Sequence, residues 1–170
     1  MTVVSENARL NLLLSDFAQN QGGKLNVVGG NVQVLGFDPR KRTTTRFSLV
    51  ALVELDSLFC PADFQLEITL LDAAGDPVPL PGQTNLAEGA TPKMFRVSQS
   101  ARLERPALAH LGALPPSIPG NVAVVIDFGN GIPVSPGAAY AWQLRVDEDS
   151  ENAIYRPFFI PGPPQQPVFG

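Results

Sequence analysis

Apolar and polar residues alternate along much of the chain. In Tyr140-Ala-Trp142-Gln-Leu144-Arg-Val146 the large apolar side chains fall on every second position, with Gln143 and Arg145 between them. Successive side chains of a strand point to opposite faces, so this spacing predicts a strand with one face in a core and the other in water. Phe64-Gln-Leu66-Glu-Ile68-Thr-Leu70 repeats the pattern, with Gln65, Glu67 and Thr69 turned outward. Phe47, Leu49, Ala51, Val53 and Leu55 form a third set, and Val122, Val124, Ile126 and Phe128 a fourth. Arg9 to Gln19, Lys24 to Gly36, Lys93 to Glu104 and Ile154 to Ile160 are rich in β-formers but alternate less regularly, and they predict further strands.

Turn chemistry separates these segments. Gln21-Gly22-Gly23, Asp72-Ala-Ala-Gly75-Asp-Pro77 and Gly129-Asn130-Gly131 supply residues that accept a positive φ. No window of helical period exceeds about 12 residues. A short helix is allowed between Ser98 and Leu114, where Pro106 would interrupt it. Eight or nine strands with polar outer faces predict an all-β fold with little helix: an antiparallel β-sandwich, immunoglobulin-like or jelly-roll-like. Residues 78–92 and 105–120, with prolines at or near their edges, read as long ordered loops. The expected organisation is a sandwich over 1–160 and a proline-rich tail over 161–170.

Composition narrows the class. A chain of 170 residues with 44% hydrophobic and 16% charged residues is long enough and apolar enough to fold as one domain. No apolar run approaches the roughly 20 residues of a membrane helix. The net charge of −4 gives no overall field toward phosphate backbones or anionic lipid, so neither nucleic acid nor membrane is an expected partner. One cysteine, Cys60, forms no internal disulfide and no four-ligand zinc site. The first residues lack the basic and apolar regions of a secretory signal, which places the expected location in the cytoplasm, or in a virion if the chain is phage-encoded.

Residue types suited to catalysis are scarce. Any Ser-His-Asp or Cys-His arrangement must use His110, the single histidine, and nothing around it resembles a nucleophile elbow or a metal-binding helix. Cys60, in Leu58-Phe59-Cys60-Pro61, reads as a small buried hydrophobe. The acidic run Asp147-Glu148-Asp149-Ser150-Glu151 has carboxylates enough to surround a hard cation but lacks an EF-hand's glycine and terminal glutamate, so a solvated hairpin tip is the preferred reading. Gly29-Gly30 reads as a bend or bulge, since no Gly-Lys-Ser/Thr follows. No enzyme, cofactor or metal is expected.

Two features point to protein partners. Arg40, Lys41 and Arg42, with Arg46, gather four of the 12 basic residues in seven positions after Asp38-Pro39, as a solvated loop or the rim of a protein contact. The tail, Pro161-Gly-Pro-Pro-Gln-Gln-Pro-Val-Phe-Gly170, carries Pro164 and Pro167 on a stiff spacer and ends on the apolar anchors Val168 and Phe169. Its two readings are a disordered end and an arm of the kind that can dock into a groove on a neighbouring subunit with little ordering cost.

The run Leu12-Leu13-Leu14-Ser15-Asp16-Phe17-Ala18-Gln19, followed by Gly23-Lys24-Leu25 and Gly29-Gly30, resembles a family of small uncharacterised proteins common in actinobacteria. The likeness continues through the Phe47 strand, the Leu70-Leu71-Asp72 to Gly75-Asp-Pro77 turn, and Pro136-Gly137 before Tyr140 and Trp142, up to Ile160. It implies a β-sandwich-like fold and no established activity. The proline-rich loops and the long tail depart from it.

The expectation is therefore a non-enzymatic structural or interaction protein, homo-oligomeric or part of a larger assembly, such as a phage capsid decoration or minor virion protein. The alternative is a small-ligand or carbohydrate-binding module of a cellular actinobacterial protein, with Trp142, Tyr140 or Tyr155 as its stacking surface. Alternation places Trp142 in the core, against that alternative.

Overall fold

The computed structural model of the chain describes residues 2–83, 90–106 and 118–163. The elements run in the order α1 (Val3–Asn7), β1 (Arg9–Gln21), β2 (Lys24–Gly30), β3 (Phe37–Asp38), β4 (Thr43–Thr44), β5 (Phe47–Leu55), β6 (Ala62–Leu71), β7 (Arg96–Leu103), β8 (Gly120–Phe128), β9 (Ala138–Val146) and β10 (Ile154–Ile160). One antiparallel sheet has the order β2-β1-β5-β8 and the other β10-β9-β6-β7, with β3 and β4 as a small separate ladder. The two large sheets face each other as a β-sandwich.

The alternating residues make the core. Phe47, Leu49, Ala51, Val53 and Leu55 of β5 are fully buried, opposite Phe64, Leu66, Ile68 and Leu70 of β6 and Tyr140, Trp142, Leu144 and Val146 of β9. A run of stacked rings crosses between the sheets: Phe47 lies 4.8 Å from Phe128, and Phe128 lies 5.4 Å from Trp142. Offset ring pairs at such distances are favoured beyond their buried area.

Four departures from the sequence reading have physical causes. Ser48 and Val50 alternate to the outer face of β5, yet both are fully buried, because the β1–β2 hairpin folds back over that face. The pairing of β1 with β5 ends at Ser15 opposite Ser48, while β1 runs on to Gln21 paired only with β2. There the Ala18 amide donates to Ser48 Oγ at 3.1 Å and Asn20 Nδ2 donates to the Ala123 carbonyl of β8 at 3.1 Å. Ala123 is level with Leu52 and Asn11, so in a straight β1 Asn20 would lie about 30 Å past it. The bend sits at Asp16 and Gly29. Gly29 has φ +62°, and a methyl group on it would overlap the Asp16 carboxylate.

The second departure is that β2 stops at Gly30 instead of reaching Gly36. Asn31 turns with φ +67° and the chain crosses to the other sheet. There the Phe159 amide donates to the Gln33 carbonyl at 2.9 Å and the Leu35 amide to the Phe159 carbonyl at 3.0 Å, covering the β10 edge. Third, of the two readings that overlap at Ser98 to Leu103, the strand expected over Lys93 to Glu104 holds and the short helix does not. Partners on β6 from Ala62 to Glu67 supply a full antiparallel ladder, which overrides weak local helix preference. Residues 107–114 of that expectation lie outside the described residues. Fourth, the five-residue α1 is too short for a periodicity signal. It is held by a capping box in which the Ser5 amide donates to Thr2 Oγ1 at 3.1 Å and the Thr2 amide donates to Ser5 Oγ at 3.0 Å, with Val4 in the core. Among the described residues no helix is long and apolar enough to cross a membrane.

Candidate functional site

The basic loop lies between β3 and β4 and is a built turn. Asp38 Oδ1 accepts hydrogen bonds from the Arg40 amide at 2.9 Å and the Lys41 amide at 3.3 Å. An aspartate bonding the amides two and three residues on fixes a turn much as a backbone carbonyl does. Arg42 completes the reversal with φ +56°. Arg40, Lys41 and Arg42 are exposed, and among the described residues none has an anionic partner within 4.0 Å. Arg46, grouped with them in sequence, points elsewhere. It lies 3.6 Å from Asp127 and 6.0 Å from the Phe17 ring centroid, on the outside of the first sheet.

The loop forms one wall of a groove of about 860 Å³. Phe37, Pro39, Lys41 and Arg42 face Pro133, Val134 and Pro136, and Pro81 and Gly82 close one side. Thr44 holds the two walls together. Its amide donates to the Ile132 carbonyl at 2.9 Å, and its Oγ1 accepts from the Ile132 amide at 3.0 Å. Gly131, with φ +68°, packs so closely on the Thr44 carbonyl that any Cβ would overlap it. Tyr140 anchors the far wall, where its hydroxyl accepts from the Ser135 amide at 3.1 Å and donates to the Ser135 carbonyl at 3.2 Å. Proline walls have few backbone donors of their own, so Lys41 and Arg42 are the strongest donors that the lining offers a ligand. Sequence reading singled out the cations but not Phe37, Pro81, Pro133, Val134 or Pro136. The clustering of prolines in three separate loops was the available signal.

At the other end of β9 the acidic run is a hairpin tip, and two of its carboxylates hold it in place, Asp147 by bonds to neighbouring elements and Asp149 within the turn. Asp147 Oδ1 accepts from the Gln65 amide at 2.7 Å, while its Oδ2 accepts from the Thr2 hydroxyl. Asp149 accepts from the Glu151 amide at 2.9 Å and from Asn152 Nδ2 at 3.1 Å. These bonds, that from Asn152 foremost, hold the Asp149 carboxyl below its ordinary range. Asp147 and Glu148 both take positive φ, 51° and 60°, which leaves Glu148 and Glu151 exposed at the tip. Among the described residues no three His, Cys, Asp or Glu side chains are grouped so as to hold a metal ion.

The remaining candidates separate. Cys60 is 3% exposed, its thiol directed at the Asp56 carbonyl at 3.7 Å and tight against Gly120. Trp142 is 1% exposed and Tyr140 8%, so neither ring presents a face to solvent. Tyr155 is exposed on β10, and its hydroxyl accepts from Gln143. His110 and the tail residues Pro164, Pro167, Val168 and Phe169 lie outside the described residues. The stem of the tail leaves β10 beside the groove, since the Gly137 amide donates to the Ile160 carbonyl at 2.7 Å and Gly162 packs on Gly137, next to Pro136. No protein-family model matches the chain, and no curated protein matches it.

Proposed function

We propose that this chain is a non-enzymatic structural or interaction module that attaches to itself or to a larger protein assembly, in the manner of a capsid decoration or minor virion protein. The observation that carries the reading is the Arg40–Lys41–Arg42 turn. Three like charges sit in one turn with no counter-ion among the described residues, on the rim of a proline-lined groove whose Pro136 side adjoins the stem of the proline-rich tail. Like charges in one turn repel, and natural surfaces intersperse the two signs. A partner that supplies the missing charge relieves this repulsion, and rigid walls lower the ordering cost of binding. Within the reading, the tail residues Pro164, Pro167, Val168 and Phe169 act as an arm.

The carbohydrate-binding alternative loses two of its three rings to the core, leaving Tyr155 alone as a stacking surface. The test is sedimentation of a native lysate through a density gradient, with the chain located by peptide mass spectrometry. Migration with megadalton particles, released only under denaturing conditions, is the expected result. Recovery as free protein at 18.1 kDa overturns the reading.

A further inference from the structure

The groove and the acidic tip lie at opposite ends of one strand. Pro133 to Pro136 immediately precede β9, which begins at Ala138, and Asp147 immediately follows its last residue, Val146. A nine-residue strand spans about 30 Å, far more than the reach of an ion pair, so the cations of one end cannot meet the carboxylates of the other within a chain. The acidic end also holds Glu6 of α1, drawn in by the Thr2–Asp147 bond and by Asn152 Nδ2, which donates to the Ser5 carbonyl at 3.2 Å. Among the described residues neither Glu6, Glu148 nor Glu151 has a cationic partner within 4.0 Å.

From this polarity we infer that copies of the chain associate head to tail, the Asp147–Glu151 tip of one copy seated at the Lys41/Arg42 groove of the next. This rests on the self-attachment arm of the proposed function and names the surface that performs it. The occupant is a second copy because the molecule carries both halves of a complementary pair, out of reach of each other. The acidic half is a hairpin tip set by the hydrogen bonds of Asp149, with Glu148 and Glu151 exposed, and the basic half lines a groove set by Asp38 and Thr44. Tail-to-tail or parallel side-by-side contacts bring acidic ends together in a molecule of net charge −4, whereas joining the tip of one copy to the groove of another opposes unlike ends, whether in a row or in an antiparallel pair. In a row such an interface is heterologous, so repetition ends in a closed ring or stays open.

A charge swap on the full-length protein tests this. The first variant carries Arg40→Glu, Lys41→Glu and Arg42→Glu, and the second carries Glu148→Lys and Glu151→Lys. Asp38, Asp147 and Asp149 are left alone because they build the turns. Circular dichroism and melting curves establish that both variants fold. By sedimentation velocity, the wild type is expected to gain mass with concentration at low salt. That association should weaken at least about tenfold as salt approaches about 1 M, where the Debye length falls to about 3 Å. Each variant alone should stay at the monomer mass, and an equimolar mixture of the two should associate again, since each then offers the charge that the other lacks.

Variants that self-associate as the wild type does, or a mixture that stays monomeric, overturn the head-to-tail interface. Salt-insensitive wild-type association also overturns it but leaves the self-attachment reading standing through another surface. A wild type that is monomeric at every concentration and salt overturns the interface as well. Lysate sedimentation then decides separately whether the chain joins a larger assembly.

Discussion

Gly131 and Gly22 have nearly the same backbone conformation, φ +68° and +58°, and very different surroundings. Nothing lies within 4 Å of a Cβ placed on Gly22, whereas one on Gly131 runs into the backbone of Thr44. Replacing either by alanine incurs the left-handed penalty of about 1–2 kcal/mol. Gly131→Ala must also push the 129–134 loop off β4, so it is expected to lower the melting temperature clearly more than Gly22→Ala, and to weaken any binding at the groove. Equal melting temperatures for the two variants would refute the close approach. Trp142→Ala removes the middle of the inter-sheet core and is expected to cost about 3–5 kcal/mol in denaturant unfolding. Wild-type Trp142 fluorescence should be blue-shifted and unchanged by added sugars, and a sugar-dependent shift would revive the carbohydrate reading. At this scale the large core side chains were legible, because period-two alternation reports which face is buried. The partners of small residues were not. Gly29-Gly30 was legible as a bend, but nothing local in Asp16 says that it meets Gly29 there, nor does Thr44 announce that it ties two loops together.

Eight long strands were legible as elements, since each carries its own apolar face and is bounded by turn residues. What escaped was set by contacts distant in sequence. The fold-back of the β1–β2 hairpin depends on Ser48 and Ala123 receiving Ala18 and Asn20, and no pattern within residues 9–30 encodes those partners. Its signature is the uninterrupted burial of β5 from Phe47 to Ala51, which in sequence is simply an apolar run, Phe-Ser-Leu-Val-Ala. The β9–β10 turn has a consequence that can be measured. The Asp149 carboxyl is held below its ordinary range by Asn152 and the Glu151 amide, so the folded turn favours the charged form. A depressed carboxyl contributes stability that is present above its unfolded value, about 3.9, and is lost as pH falls through its lower folded value. The Asp149 carboxyl is therefore expected to titrate below an unstructured aspartate by NMR, and Asn152→Ala should move it back up. A titration unchanged in Asn152→Ala would assign the depression to another cause.

At the scale of the molecule, the surfaces proposed to mediate assembly lie apart from the core. Among the described residues the core residues nearest the C-terminus are Phe158 and Ile160, 3% and 0% exposed, while Pro161, Gly162 and Pro163 are exposed. A segment that has left the core changes stability by no more than about 0.5 kcal/mol when altered, a shift of only about 1–2 °C in the melting of a domain this size. In the proposed assembly the tail matters more for association, because its stem passes Gly137 at the end of the molecule that carries the groove. Under the proposed function the arm and the cations engage one partner together, and two weak contacts on one partner reinforce each other through effective concentration. Deleting residues 164–170 is therefore expected to leave the melting curve in place while weakening assembly measured by sedimentation. The loss should add to that of the Arg40–Arg42 reversal in a particle-bound state held by both contacts. A deletion that lowers the melting temperature by many degrees would instead place the tail within the folded core. A deletion that changes neither quantity would leave the cationic groove to hold the assembly without the arm.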